Sequence, residues 1–104
     1  MKLTINVITR GRPKLLMRTI DSILANIELP ETRLLVCADD DDAMTVLALK
    51  LAKLGSNVIV SVAPREDSRG EKYDRALHLA PADVYLPFVD CAPILTPGFD
   101  ALVL

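Results

Sequence analysis

Three times in succession a short apolar, β-branched run gives way to a segment whose apolar residues recur at helical spacing, and a fourth run follows. Leu3 to Thr9, Arg33 to Ala38, Val58 to Val62 and Val84 to Val89 read as strands. Between the first two, Leu16, Ile20, Ile23, Leu24 and Ile27 keep a helical period. Pro13 suits the first position of that helix, where its missing N–H costs nothing, and Pro30 marks its limit. Met44, Leu47, Ala48, Leu51 and Ala52 line one face of a second helix, with Gly55 as its stop. A third helix opens on Ser68-x-x-Glu71, a capping-box pattern, and turns Tyr73, Ala76, Leu77 and Ala80 inward before Pro81. A fourth begins near Thr96.

Strands that alternate with helices require crossover connections, and these are right-handed. The strand runs are apolar on both faces, as a sheet covered on both sides demands. The expected fold is α/β, a three-layer α/β/α arrangement with a mostly parallel sheet, about four strands and three to four helices. A chain of 104 residues fits one domain, 1–104, able to bury roughly 60–70% of its unfolded surface. Pro87 inside the fourth run is the exception, because proline belongs on edge strands or at bulges.

Charge and cysteine content narrow the function classes. The net charge of −2 gives no general basic field, so nucleic acid is not the expected partner. Cys37 and Cys91 form no Cys-x-x-Cys pair and no cysteine–histidine metal pattern. They fit buried thiols and a reducing compartment. No run approaches the ~18 apolar residues of a membrane span. A soluble cytoplasmic protein is expected, with peripheral membrane association still open.

Parallel topology brings the segments after all four strands to one edge: Thr9 to Arg12, Asp39 to Asp42, Arg65 to Lys72, and Asp90. Open α/β sheets bind ligands there. The loop after the first strand matches neither Gly-x-x-x-x-Gly-Lys-Ser/Thr nor Gly-x-Gly-x-x-Gly. Acids and guanidinium groups on one edge suit a phosphate ligand with a divalent cation, since Mg²⁺ is held by one or two carboxylates plus phosphate oxygens. The four consecutive aspartates serve either as caps of the second helix or, through Asp39 or Asp41, as ligand contacts. Arg65, Arg69 and Lys72 near a helix N-terminus oppose its dipole, a conflict that a bound anion relieves. His78 stands alone in mid-helix, so no Ser/His/Asp or Cys/His constellation can be assembled.

Taken in order, Thr9-Arg10-Gly11-Arg12-Pro13, Val36-Cys37-Ala38-Asp39-Asp40-Asp41-Asp42, Asp67-Ser68-Arg69-Gly70-Glu71-Lys72-Tyr73-Asp74, and Tyr85 to Asp90 followed by Thr96-Pro97-Gly98-Phe99-Asp100 resemble the N-terminal half of a glycosyltransferase family 2 domain of the GT-A fold. The resemblance implies a Rossmann-like half that binds a nucleoside-diphosphate sugar for transfer to an acceptor hydroxyl. It assigns Thr9, Arg10, Asp39 and Asp41 to the nucleotide, and Arg69, Lys72 and Asp74 to nucleotide and phosphates. Asp90 takes the place of an Asp-x-Asp acid holding Mg²⁺ or Mn²⁺. Cys91 and Ala92 stand where a second acid is usual. The family's catalytic domain is longer than this chain, and its remainder supplies acceptor site and general base. The rival expectation is a truncated or degenerate module acting in binding or oligomerisation, with a homodimer formed at an apolar sheet edge near the fourth strand.

Overall fold

The computed structural model describes residues 2–64, 78–90 and 96–103. Four strands, β1 (Leu3–Thr9), β2 (Arg33–Asp39), β3 (Val58–Ala63) and β4 (Val84–Phe88), form one sheet in the order β3-β2-β1-β4. All three pairings are parallel, so the chain is an α/β protein with a parallel sheet. Its described helices are α1 (Pro13–Asn26), α2 (Ala43–Leu51) and the short α3 (Phe99–Val103). Residues 65–77, on which most of the expected third helix falls, and 91–95 lie outside the described residues.

Register explains which side of each strand is packed. Ile5 lies opposite Leu34 and Leu86, and Val7 opposite Val36 and Phe88. With Leu3 and Ala38 these side chains point to one face, where Leu16, Ile20 and Ile23 of α1, Leu49 of α2 and Phe99 of α3 meet them. The other face holds a smaller cluster of Leu35, Cys37 and Ala80, against which Ile8 and Ile59 pack. Two polar side chains of β1 are buried on that side and partnered. The Thr4 hydroxyl donates to the Ala80 carbonyl at 3.1 Å, and Asn6 Oδ1 accepts from the Cys37 thiol at 3.6 Å.

Pro13 opens α1, and the helix ends at Asn26, well short of Pro30. β4 is an edge strand, which accommodates Pro87 where a central strand would lose a ladder bond. Three expectations are corrected. The second helix stops at Leu51, with Ala52 in extended conformation at its end, so Gly55 is not its cap. Gly55 instead accepts the Val58 N–H in the turn leading to β3. The face of α2 expected from its apolar period is largely the outer one. Met44 and Leu51 are 65% and 74% exposed, while Thr45 and Leu49 face the core. The last helix starts at Phe99, after a turn at Thr96–Gly98. Gly98 adopts a φ of 69°, which side chains disfavour, and its N–H donates to the Asn26 carbonyl at 2.9 Å.

Candidate functional site

The strand order contains one reversal. The chain steps outward from β1 to β2 to β3, then returns past β1 to place β4 on its other side. The carboxyl ends of β1 and β4 therefore flank the switch point, where doubly wound sheets open a crevice for ligands. Thr9 ends β1, and Asp90 follows β4 by two residues. They meet there: Thr9 Oγ1 donates to Asp90 Oδ2 at 3.0 Å.

Two further side chains converge on Asp90. The Arg12 guanidinium lies 3.4 Å from its other carboxylate oxygen, Oδ1, as an ion pair. Thr19 Oγ1, on the buried face of α1, donates to the Asp90 carbonyl at 3.1 Å. Asp90 is only 6% exposed, so its carboxylate needs such partners. Arg12 belongs to the Thr9 to Arg12 segment expected at this edge, though with no role assigned to it, whereas Thr19 was missed. The usable signal was Thr19 itself, a hydroxyl on an apolar helix face between Leu16 and Ile20.

Beside this pair sits a second cluster, on the β2 side. Arg10 Nη1 contacts Asp39 Oδ2 at 2.9 Å and Asp41 Oδ1 at 2.7 Å, and Nη2 reaches Asp41 Oδ2 at 3.2 Å. Asp39 is buried at the end of β2, whereas Asp41 is exposed. Donating to Asp41 first, then to Asp39, holds the Arg10 guanidinium above its ordinary pKa. Gly11 takes a φ of 68°, a left-handed turn that suits glycine, and its N–H donates to Asp42 Oδ2 at 2.6 Å. Burial would raise the Asp42 carboxyl, but that N–H, Thr45 and the Arg10 charge together hold it below the ordinary range.

The four aspartates thus divide their tasks. Asp42 stands at the N-cap position of α2, where Thr45 draws on its carboxylate without closing a full cap hydrogen bond. It also ties the α2 entrance to the β1–α1 loop. Asp39 and Asp41 grip an arginine of that loop, so helix capping does not account for them.

Of the residues expected at the site, Thr9, Arg10, Asp39, Asp41 and Asp90 come together on one sheet edge. Arg69, Lys72 and Asp74 lie outside the described residues, as does Cys91. His78 is exposed and belongs to no cluster described above. Among the described residues no three of His, Cys, Asp and Glu gather to hold a metal ion. Asp90 offers a single carboxylate, the minimum for a Mg²⁺ whose other ligands are phosphate oxygens and water. No described helix is long and apolar enough to cross a membrane. No family model and no curated protein sequence matches the chain.

Proposed function

We propose that the chain is a glycosyltransferase-like domain that binds a nucleoside-diphosphate sugar, with a divalent ion, for transfer of the sugar to an acceptor hydroxyl. The observation that carries this reading is the meeting of Thr9 and Asp90 at the switch point, with two arginines beside them. In this reading Asp39 and Asp41, fixed through Arg10, face the base and ribose. Arg10 and Arg12 supply positive charge for the diphosphate, and guanidinium groups match phosphate geometry. Arg69, Lys72 and Asp74, outside the described residues, take their part at the nucleotide and phosphates from the resemblance alone. Asp90 would hold Mg²⁺ or Mn²⁺, which when bound neutralises charge on the leaving diphosphate. Arg12 then exchanges its carboxylate for a phosphate partner.

The test is calorimetric titration of UDP and of GDP into the folded protein, with and without Mn²⁺. A Mn²⁺-dependent heat with one of them is expected. The absence of heat with both, at millimolar nucleotide, overturns the reading.

One observation favours a second reading, a non-catalytic transferase-like module acting in binding or oligomerisation. Both oxygens of Asp90 already face protein donors, Thr9 and Arg12. On this reading Asp90 closes the β1–β4 junction and holds no metal. Asp90→Asn separates the two: a metal site loses its divalent-dependent nucleotide affinity, whereas a junction loses only a little stability.

A further inference from the structure

The two edges of the sheet are built differently. β4 carries Pro87, exposed on the edge strand. Proline on an edge is one of the devices that keep sheets from adding strands. β3, at the opposite edge, reads Val58-Ile59-Val60-Ser61-Val62-Ala63. It has no charge, no proline and no glycine, so the side chains that usually guard an edge are missing.

The orientation of its backbone follows from two hydrogen bonds. The Asn57 and Ala63 carbonyls accept from Leu34 and Asp40 of the β2 side, both at 2.9 Å. In an extended strand the N–H and C=O of successive residues point to opposite sides, so 57, 59, 61 and 63 address β2. Val58, Val60 and Val62 direct theirs to the open side. The Val58 N–H is taken by Gly55 at 3.1 Å. The N–H groups of Val60 and Val62, and the carbonyls of all three valines, remain unpaired among the described residues. Their side chains share the main core face, since they lie opposite Leu34, Val36 and Ala38. Val60 and Val62 are nonetheless 38% and 43% exposed.

Charge at the two ends of this edge is of opposite sign. Asp40 is exposed beside the end of β3, where its own N–H meets Ala63. Lys50, in the last turn of α2, and Lys53, in the connection to β3, are exposed toward its start. An antiparallel copy of the same edge therefore sets each acidic end against a basic end. A parallel copy sets like charge against like.

We propose that β3 pairs with β3 of a second copy of this chain, antiparallel, about a two-fold axis normal to the sheet. The product is one continuous sheet across the two copies. Val60 and Val62 of each copy donate across the axis, and the exposed valines cover one another. The arrangement is isologous and closed, so it stops at two copies. The contact is small, which places its dissociation constant on the order of micromolar. This proposal relocates the self-association expected near the fourth strand, and it stands whichever reading of the carboxyl edge holds.

Sedimentation velocity from low micromolar to near-millimolar concentration tests it, together with amide hydrogen exchange at both extremes. The expected result is a monomer–dimer equilibrium, with slower exchange at Val60 and Val62 in the dimer. Val60→Pro removes an N–H that β2 does not use, so the fold survives on an edge strand, while dimerisation weakens at least tenfold. Val62→Lys, at an exposed side chain, does the same without touching the backbone. Lys53→Glu weakens the dimer and the double variant with Asp40→Lys restores it. A chain that stays monomeric throughout, or a dimer indifferent to both Val60→Pro and Val62→Lys, overturns the proposal.

Discussion

Asp90 and Asp100 are both buried carboxylates, ten positions apart, yet the chain treats them in opposite ways. Asp100, in the first turn of α3, reaches with its carboxylate into the turn between α1 and β2. One oxygen accepts the Glu28 N–H at 2.9 Å, and the other accepts the Leu29 N–H at 2.8 Å and the Thr32 hydroxyl at 2.6 Å. Two of those donors are backbone groups that cannot leave without unmaking the turn. Asp90, at the opposite end of the sheet, is held among the described residues by side chains, one of them an arginine at 3.4 Å with half its surface in water. A carboxylate saturated by backbone is committed to the fold. One held by a threonine and a half-exposed guanidinium can change partners, as a ligand site requires.

The largest effect belongs to the committed acid. Asp100→Ala leaves two half-buried N–H groups and a buried hydroxyl without an acceptor, so unfolding stability falls by about 2 kcal/mol. Urea denaturation measures it. Nucleotide binding by the folded fraction is unchanged, because the turn is remote from the carboxyl edge. A loss of binding in that fraction would erase the contrast between the two aspartates.

Acidification sharpens the same contrast. Burial would raise the Asp100 carboxyl, but the Thr32 hydroxyl and the N–H groups of Leu29, Glu28 and Ala101 outweigh it, and its pKa lies below the ordinary value of 3.8. A depressed folded-state pKa means stability that is complete above the unfolded value and lost as pH falls through the folded one. The Asp100 contribution is therefore full at neutral pH and disappears only under strong acid. Asp100→Asn flattens that acid limb of the stability–pH curve.

Asp90→Asn is the next effect in size, and its readout is binding. The amide keeps an oxygen for the Thr9 hydroxyl, so stability changes by no more than about 1 kcal/mol. Divalent-dependent nucleotide affinity is abolished, and any metal-independent part persists. If the divalent dependence survives intact, Asp90 is a structural acid like Asp100 and its role at a metal is wrong.

These two aspartates also mark how far the sequence could be read. Any parallel alternation of strands and helices delivers every strand end to one edge, so Thr9, Asp39 and Asp90 were legible as neighbours of a site. Which of them touch depends on strand order, and that is fixed by packing of both sheet faces. Only the placement of β4 beside β1 joins Asp90 to Thr9. The reach of Arg12 to Asp90 and of Arg10 to Asp39 was hidden for a related reason: long side chains cross between loops with no periodicity to betray them. Asp42 looked like a helix cap because local chemistry favours one there, yet it turned to the Gly11 N–H across the loop. The α2 stripe misled in the same way. Met44, Leu47 and Leu51 have the spacing of a core face, but a short helix anchored by Thr45 and Leu49 turns them outward.

The smallest expected effect distinguishes the two acids that share Arg10. Asp39 is buried and Asp41 is largely in solvent, with side-chain exposures of 2% and 53%. An exposed ion pair contributes up to about 1 kcal/mol to stability, bidentate geometry lying at the upper end. Asp41→Asn therefore lowers stability by no more than about 1 kcal/mol. Its partner loses one of two anchors, and the nucleotide affinity falls by roughly twofold to threefold, about 0.4–0.7 kcal/mol. Asp39→Asn removes the buried anchor, and both losses are larger. Parallel calorimetric titrations of the two variants give the ranking. Should Asp41→Asn weaken nucleotide binding more than Asp39→Asn does, the ligand rests mainly on Asp41, and the buried Asp39 serves chiefly to anchor Arg10.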